Sequence, residues 1–337
     1  MKLSHWTRAS RIVWAMARPR PLPMREVFLD LGDASGLALV YDPVGTPVGT
    51  VVIIPGMTVS AHRDERLHNL AIGFARGGFR GLVLEVPDLQ RLKIRAETDA
   101  DVARRITALL PAGLAPEGRI GLLGPSFSGS LALRAATMPG AAGWVRAVIT
   151  VGAYAEATST VRYLFESTEA DPYGRLILLL NFLSEVEPVT EGQSDALHAA
   201  ILDTSREVKQ LASVLRRLPR EQADRLEAIL TDPAVWGSVG ERFLDSGSGV
   251  LDPLSVPPIV HKLQCAVMML HGASDNIVPP SESHVLKEAL DAGNVPNHLL
   301  VTSVLDHANI QGGFTAAREA LGMVKAFAFF VQAMAQD

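Results

Sequence analysis

Short, continuous apolar runs that alternate with helix-like segments are the feature that most constrains the fold of this chain. Residues 50–54, 119–123 and 147–151 are such runs, and runs of this kind suit strands that are buried on both faces of a parallel sheet. Segments with helical spacing separate them and end near Gly or Pro. This alternation predicts an α/β fold with a doubly wound, mainly parallel sheet of about eight strands.

One long segment interrupts the alternation. Residues 156–260 show almost no strand-like runs, only helical periodicity punctuated by Pro and Gly, and strand–helix alternation resumes at 265–270. We therefore divide the chain into an N-terminal arm (1–25), an α/β core in two halves (26–155 and 261–337) and an all-helical insertion between the halves (156–260).

The N-terminal arm is basic. Residues 1–24 carry five Lys and Arg side chains and no acidic one. The apolar stretch 12–14 is shorter than the roughly 7–15 residues of a signal-peptide core, and no stretch of the chain approaches the ~20 apolar residues of a membrane span. We expect a short amphipathic helix on the body of a cytoplasmic protein, with weak membrane-surface contact as the alternative.

Charge and cysteine content exclude two classes of function. The formal net charge is −5 and no long basic run is present, so the chain lacks the electrostatic footprint of a nucleic-acid-binding protein. Cys265 is the only cysteine, which excludes an intramolecular disulfide and a cysteine-based zinc site. Because Cys265 begins an apolar run, we expect it to be buried and unreactive.

A serine in a tight turn is the most specific local signal. Residues 124–129 read Gly-Pro-Ser-Phe-Ser-Gly, directly after a predicted buried strand and directly before a predicted helix. A nucleophile at such a turn needs small residues two positions away on either side, and Gly124 and Ser128 meet that need around Ser126. Ser128 is the alternative nucleophile, but Ser126 fits better because the strand ends at Leu123.

A serine hydroxyl needs a base to accept its proton. His307 follows the predicted last strand and is the best candidate among nine histidines; His271 ends a strand, where we expect it to form structural hydrogen bonds. The histidine in turn needs an acid to fix its tautomer. Asp275, in the loop after the 265–270 strand, is preferred to Asp306, because adjacent side chains such as those of Asp306 and His307 seldom point at each other.

With these residues in place, the chain resembles the α/β-hydrolase superfamily. The resemblance rests on the Ile-Pro-Gly-Met segment at 54–57, the Ser126 turn, the 272–279 segment and His307, in the chain order Ser, Asp, His that is usual for this fold. It implies that the backbone N–H groups of Met57 and Phe127 bind the oxyanion. Two departures stand out: Pro55 replaces a frequent histidine, and Ser128 replaces the usual glycine. Neither departure removes a reacting atom.

The resemblance also suggests a role for the insertion. In the superfamily, helical insertions after the sixth strand form a cap over the active site, and residues 156–260 occupy that position. Leu179 and Phe182 belong to a nearly all-apolar helical run, 176–183, which either fills the interior of the cap or lines an acyl-binding pocket. His62 lies in the loop after the 50–54 strand and could line the site entrance.

These features predict a serine hydrolase that forms an acyl-enzyme. The expected substrate is a small ester-like molecule (a carboxylic ester, lactone or thioester) with an apolar acyl or alkyl group, and no metal or organic cofactor is implied. The alternatives are an acyltransferase, a thioesterase or a C–C bond hydrolase with the same triad, and a non-catalytic binding protein of the same fold. An intact triad argues against the binding protein, which has no need of the acid.

Overall fold

The structure, a computed structural model, describes residues 2–205, 209–246, 248–306, 309–310 and 317–335. The chain divides into two compact units, a core formed by residues 1–155 and 256–337 and a helical unit formed by residues 156–255. Residues 256–260, which the sequence pattern placed in the insertion, belong to the core unit. There the N–H of Val256 donates to the carbonyl oxygen of Ala155 at 2.9 Å.

The strands that the structure describes lie in the core unit. They are β1 Arg25–Asp30, β2 Ser35–Tyr41, β3 Thr50–Ile53, β4 Arg80–Leu84, β5 Ile120–Pro125, β6 Val145–Val151, β7 Ala266–Gly272, β8 Asn297–Thr302, β9 Leu305–Asp306 and β10 Asn309–Ile310.

The helices are divided between the two units, and α6 to α12 form the helical unit. They are α1 Leu3–Ala17, α2 Glu65–Arg76, α3 Pro87–Gln90, α4 Glu97–Ala108, α5 Phe127–Ala136, α6 Ala157–Glu166, α7 Pro172–Phe182, α8 Glu191–Thr204, α9 Leu211–Leu215, α10 Arg220–Thr231, α11 Pro233–Ser246, α12 Ser248–Leu251, α13 Ser281–Ala292 and α14 Ala317–Met334.

Among the described residues, eight strands form one sheet in the order β1-β2-β4-β3-β5-β6-β7-β8. The β1–β2 and β2–β4 pairs are antiparallel, and the pairs from β4 to β8 are parallel. The predicted doubly wound, mainly parallel sheet is therefore confirmed. The last strand predicted before His307 corresponds to β8, which ends at Thr302, because the next residues turn and the N–H of Val304 donates to the Thr302 hydroxyl at 3.2 Å.

Helices cover both faces of the sheet, which explains why its central strands are predominantly apolar. On one face, side chains such as Val51 and Ile53 join a core cluster with α1, α2 and α14, where the rings of Phe74 and Phe330 lie 5.7 Å apart. On the other face, α5 packs on β5 and β6 and against α4. The helix α2 approaches β4 most closely at Gly81, where a Cβ would lie 2.2 Å from the carbonyl oxygen of Ala71.

The N-terminal arm contains the expected short helix, α1, which packs on the core unit. Helix α1 packs along α2 and α14 and buries Ala9, Ile12 and Met16 in the core cluster. The amphipathic spacing of the sequence therefore becomes a helix with one stripe fixed against the protein.

The helical unit has an apolar interior of its own. The ring of Phe182 on α7 stacks on that of Phe243 on α11, with centroids 5.2 Å apart, and Leu179 is also buried. The carboxylate oxygen Oε2 of Glu187 forms ion pairs with two arginines, at 2.6 Å from Nη2 of Arg225 and 2.9 Å from Nη2 of Arg242.

Candidate active site

Ser126 occupies the turn between β5 and α5 with backbone angles φ 53° and ψ −131°. A residue with a Cβ pays about 1–3 kcal/mol for such an angle unless the surrounding structure enforces it. Here the N–H of Ser126 donates to the carbonyl oxygen of Val151 at 2.7 Å, and the N–H of Gly129 donates to the carbonyl oxygen of Ser126 at 2.9 Å. A serine in a strained strand-to-helix turn has the conformation that presents a nucleophilic hydroxyl above the sheet.

The residue at position 124 must be small because helix and strand nearly touch there. A Cβ on Gly124 would lie 2.0 Å from the carbonyl oxygen of Ser128 and 2.7 Å from the nitrogen of Gly129. Both groups are backbone and cannot move aside without disrupting the turn. Gly124 therefore permits the close approach that the sequence pattern predicted.

Ser128 has a different role from Ser126. Its side chain is fully buried, and its hydroxyl donates to the carbonyl oxygen of Pro55 in the loop after β3. A buried hydroxyl that is already engaged is poorly placed to attack a substrate. The bond to Pro55 gives a physical reason for a serine at a position where glycine is usual.

The loops after β3 and β5 meet at a switch point of the sheet, since the chain continues from β3 to β4 on one side while β5 lies on the other. Open α/β sheets bind ligands at the carboxyl ends of their strands at such points. Ile53 and Leu123 are register partners in the two strands, and Met57 and Phe127 each follow four residues later. Phe127 also begins helix α5, whose first N–H groups have no partner within the helix.

Asp275 lies in the loop after β7 and is buried. One carboxylate oxygen, Oδ1, accepts hydrogen bonds from the N–H groups of Ile277 and Val278, each at 3.0 Å. The other oxygen, Oδ2, lies 3.5 Å from Nε2 of His271. The backbone bonds fix the orientation of the carboxylate, which is what an acid that orients a histidine requires.

His271 is fully buried at the end of β7, and both of its ring nitrogens have partners. Nε2 lies 2.9 Å from the carbonyl oxygen of Val278, and Nδ1 lies 2.6 Å from Oγ of Ser283. Because a carbonyl oxygen only accepts, Nε2 carries a proton and donates to Val278. His271 thus forms the structural hydrogen bonds expected of it.

His307, the predicted base, lies outside the described residues. Asp306, directly before it, and Asn309, two positions after it, are described: β9 pairs with β10 in antiparallel register, with Asp306 opposite Asn309. Strand β9 also contacts β7, the strand that precedes Asp275. The assignment of His307 as base stays a prediction from the sequence.

A buried ionic group between helices α4 and α5 was not predicted from the sequence. The guanidinium of Arg134 on α5 donates to both carboxylate oxygens of Asp99 on α4, at 2.8 and 3.0 Å, and to the hydroxyl of Tyr154 at 3.1 Å. Burial alone would lower the pKa of Arg134, but Tyr154 and Asp99 together hold it above its ordinary value. The same guanidinium lies 5.8 Å from the centre of the Phe127 ring.

Comparison with known proteins identifies the architecture. No protein-family model matches the chain, and no curated protein matches it. Solved structures do match: a Mycobacterium tuberculosis puromycin-hydrolyzing peptidase at 16% identity and TM-score 0.56, over 94% of this chain and 40% of that one. Porphyromonas gingivalis dipeptidyl peptidase 4 matches at 14% identity and TM-score 0.54, over 92% of this chain and 36% of that one.

A third match has a similar length. The 2-hydroxy-6-oxo-6-phenylhexa-2,4-dienoate hydrolase from Rhodococcus sp. strain RHA1 is 16% identical with TM-score 0.53, over 92% of this chain and 100% of that chain. This chain has the α/β-hydrolase fold. It spans about two fifths of the length of the peptidase structures that it matches and the whole length of the dienoate hydrolase structure.

Within this fold, His62 is an unusual residue of the loop after β3. It is 2% exposed, and neither ring nitrogen has a hydrogen-bond partner among the described residues. Burial lowers the pKa of the imidazole, with Arg63 and His68 adding to the effect and Glu85 opposing it. The preceding residue, Ala61, has a positive φ of 41°. Local strain beside an unpaired buried polar group is a combination that clusters at functional sites.

Two further observations limit the chemistry of the described part of the chain. No group of three or more His, Cys, Asp or Glu side chains there could hold a metal ion. Cys265 is buried, and burial raises the pKa of its thiol to about 12. A thiol with so high a pKa is a poor nucleophile at neutral pH.

Proposed function

We propose that this α/β-hydrolase is a serine hydrolase that works through an acyl-enzyme at Ser126. The observation that carries the proposal is the strained backbone of Ser126 between β5 and α5, with φ 53°. Glycine would adopt this backbone conformation without the strain, so a serine at position 126 indicates a use for its hydroxyl. The oriented carboxylate of Asp275 supports the same conclusion.

The proposed reaction has two acyl-transfer steps. His307 takes the proton of the Ser126 hydroxyl as its oxygen attacks the substrate carbonyl carbon, and the N–H groups of Met57 and Phe127 bind the oxyanion. The protonated histidine then gives its proton to the leaving group, and the acyl-enzyme forms. Water repeats the sequence, with His307 as base, and releases the acid and the free serine.

Asp275 stabilises the imidazolium in both steps. Its Oδ1 is held by two backbone N–H groups, so the carboxylate is pre-organised and needs no rearrangement as charge develops on the histidine. The carboxylate keeps its charge, while the proton travels only between serine, histidine and leaving group.

The substrate class is a carboxylic acid derivative. We propose small esters, including lactones and thioesters, with an apolar acyl or alkyl group as the first candidates. Amides of amino acids or short peptides are the second candidate, because two of the matched structures described above are peptidases by name. The same acyl-enzyme serves both classes, but an amide depends more on the histidine for protonation of its leaving nitrogen.

A matched substrate pair tests the proposal and separates the two classes. The p-nitrophenyl ester and the p-nitroanilide of one acyl group are assayed with the wild type and with Ser126→Ala. We expect ester turnover that Ser126→Ala abolishes. Anilide turnover at a kcat/KM comparable with that of the ester would favour the peptidase class, and unchanged hydrolysis by Ser126→Ala would refute the proposed nucleophile.

A further inference from the structure

We propose that the outward face of helix α1 binds an anionic lipid surface, so that the protein attaches peripherally to membranes. This outward face consists of Leu3, Thr7, Arg11 and Trp14 at helical spacing, together with Arg18, the residue directly after the helix. The inference is independent of the reaction at Ser126.

The orientation of α1 is fixed by the side that it buries. Ile12 and Met16 lie in the core cluster, and the guanidinium of Arg8 donates to the carbonyl oxygen of Gly77 at 3.0 Å, just beyond the last residue of α2. A cation at the carboxyl end of a helix is a favourable contact. Because this stripe is held against the protein, the opposite stripe must face outward.

The outward face combines large apolar groups with cations. Leu3 is 82% exposed and Trp14 is 61% exposed, and the guanidinium of Arg18 lies 4.4 Å from the centre of the Trp14 ring. Arg11 is exposed as well. A helix that lies in the headgroup layer typically presents Trp and Leu beside Lys and Arg, since the rings enter the boundary and the cations meet phosphates.

The charge distribution selects an anionic partner. The first 24 residues hold five of the 31 Lys and Arg residues and none of the 36 Asp and Glu residues. The rest of the chain is left with 26 basic and 36 acidic side chains, so an anionic surface attracts α1 and repels the remainder. This polarity orients the molecule with α1 toward the surface.

A lipid surface fits this face better than an acidic protein does. Trp14 and Leu3 project from a helix that lies along the protein, and contact with a fluid interface needs no matching groove. Among the described residues, no helix is long and apolar enough to cross a membrane. The geometry therefore points to attachment at the headgroup layer.

Vesicle sedimentation with the full chain tests this inference. The protein is mixed with vesicles of phosphatidylcholine alone or of phosphatidylcholine with phosphatidylserine, at low and at high salt. Each basic side chain near an anionic surface strengthens binding about fivefold, so the double variant Arg11→Gln, Arg18→Gln should bind the anionic vesicles about 30-fold more weakly. The matched control is Arg216→Gln, Arg217→Gln, two exposed arginines of the helical unit, which should bind like the wild type.

Fluorescence locates the contact. Brominated lipids in the anionic vesicles should quench the Trp14 emission, so Trp14→Ser should lose most of the quenching, whereas Trp144→Ser, at another exposed tryptophan, should keep it. Circular dichroism confirms that each variant is folded. The inference is overturned if the two double variants bind alike, if binding is independent of phosphatidylserine, or if soluble polyglutamate binds the protein while the vesicles do not.

Discussion

At the residue scale, the Ser128 side chain connects the two loops that the proposed chemistry brings together. Its hydroxyl donates to the carbonyl oxygen of Pro55, so the loop that carries Met57 is tied to the helix that begins at Phe127. Glycine at position 128 would leave that carbonyl oxygen without this bond. The departure from the usual glycine therefore serves to hold the two predicted oxyanion donors in register.

The carboxylate of Asp275 gives the first prediction. In Asp275→Asn, the amide would leave the histidine in the wrong tautomer. Turnover of the best ester should therefore fall about 10⁴-fold, the loss that the same change of the triad aspartate causes in a serine protease. Asp306→Asn should lower turnover far less. Steady-state kinetics on both variants decide the matter, and a larger loss in Asp306→Asn would transfer the acid role to that residue.

His62 gives a prediction about stability and pH. Its imidazole is buried and its pKa lies below the ordinary value of 6.5, whereas the unfolded chain takes up a proton near 6.5. Above about pH 6.5 the imidazole is neutral in the folded and in the unfolded chain, and its titration costs no stability. As the pH falls below that value, the folded protein loses stability, because the unfolded chain takes up the proton more readily. His62→Leu removes this pH dependence and two unpaired nitrogens, each of which costs about 1–3 kcal/mol.

Urea denaturation of wild type and His62→Leu over a pH series measures this effect. We expect the variant to be at least as stable at pH 7, with an advantage that grows below pH 6.5. His68 and His298 also have lowered pKa values, but both are present in the two proteins and largely cancel in the difference. A difference that does not change with pH would show that His62 is not the titrating group.

At the element scale, one buried ion pair holds helix α4 to helix α5. Asp99 and Arg134 have side chains less than a tenth exposed, and removal of one partner leaves the other charge uncompensated. Arg134→Met should therefore lower the free energy of unfolding by about 3–5 kcal/mol, while the double variant Asp99→Leu, Arg134→Met should recover most of the loss. Denaturation curves for the two single variants and the double variant test this, and strictly additive losses would contradict it.

Helix α7 supports a prediction about substrate choice. If it lines an acyl-binding pocket, kcat/KM should rise by roughly one to two decades from acetate to hexanoate esters, since each buried methylene contributes at most ~0.8 kcal/mol. Leu179→Ala should flatten that rise with little change for acetate, and Phe182→Ala should do the same. Because Phe182 stacks on Phe243, Phe182→Ala also tests the simpler role: a fall in melting temperature with an unchanged chain-length series would assign that residue to the interior of the unit.

The elements of the core could largely be predicted because their signals are local. Strands β3 and β5 coincide with predominantly apolar runs, and the turn at Ser126 is defined by neighbours within two positions. The bonds that shape the site are not local: Ser128 and Pro55 are 73 positions apart, and Arg134 and Asp99 are 35 apart. No periodicity links such pairs, so neither the hydrogen bond from Ser128 to Pro55 nor the buried ion pair of Arg134 could be predicted from the sequence.

The same reasoning applies to His62 and to the domain boundary. The position of His62 after a strand predicts a loop residue. Its burial without a hydrogen-bond partner among the described residues depends on the fold around it. The insertion was predicted to end at residue 260, because 256–260 lack strand character. In the structure, however, the N–H of Val256 donates a hydrogen bond to the carbonyl oxygen of Ala155, the last residue of the first half of the core.

At the scale of the whole molecule, the fold brings distant parts of the sequence to one edge of a sheet. The loops after β3, β5 and β7 carry Met57, Ser126 and Asp275, and these strands run parallel in the sheet. Parallel strands end at the same edge, so residues that are 69 and 149 positions apart in the chain share one side of the core. This arrangement is the physical basis of the proposed acyl transfer.

Covalent labelling tests the central claim most directly. The folded protein is treated with a fluorophosphonate, digested, and the modified peptide is sequenced by mass spectrometry. We predict a single adduct on Ser126, absent in Ser126→Ala and retained in Ser128→Ala. An adduct on Ser128, or equal labelling of wild type and Ser126→Ala, would contradict the assignment of Ser126 as the nucleophile.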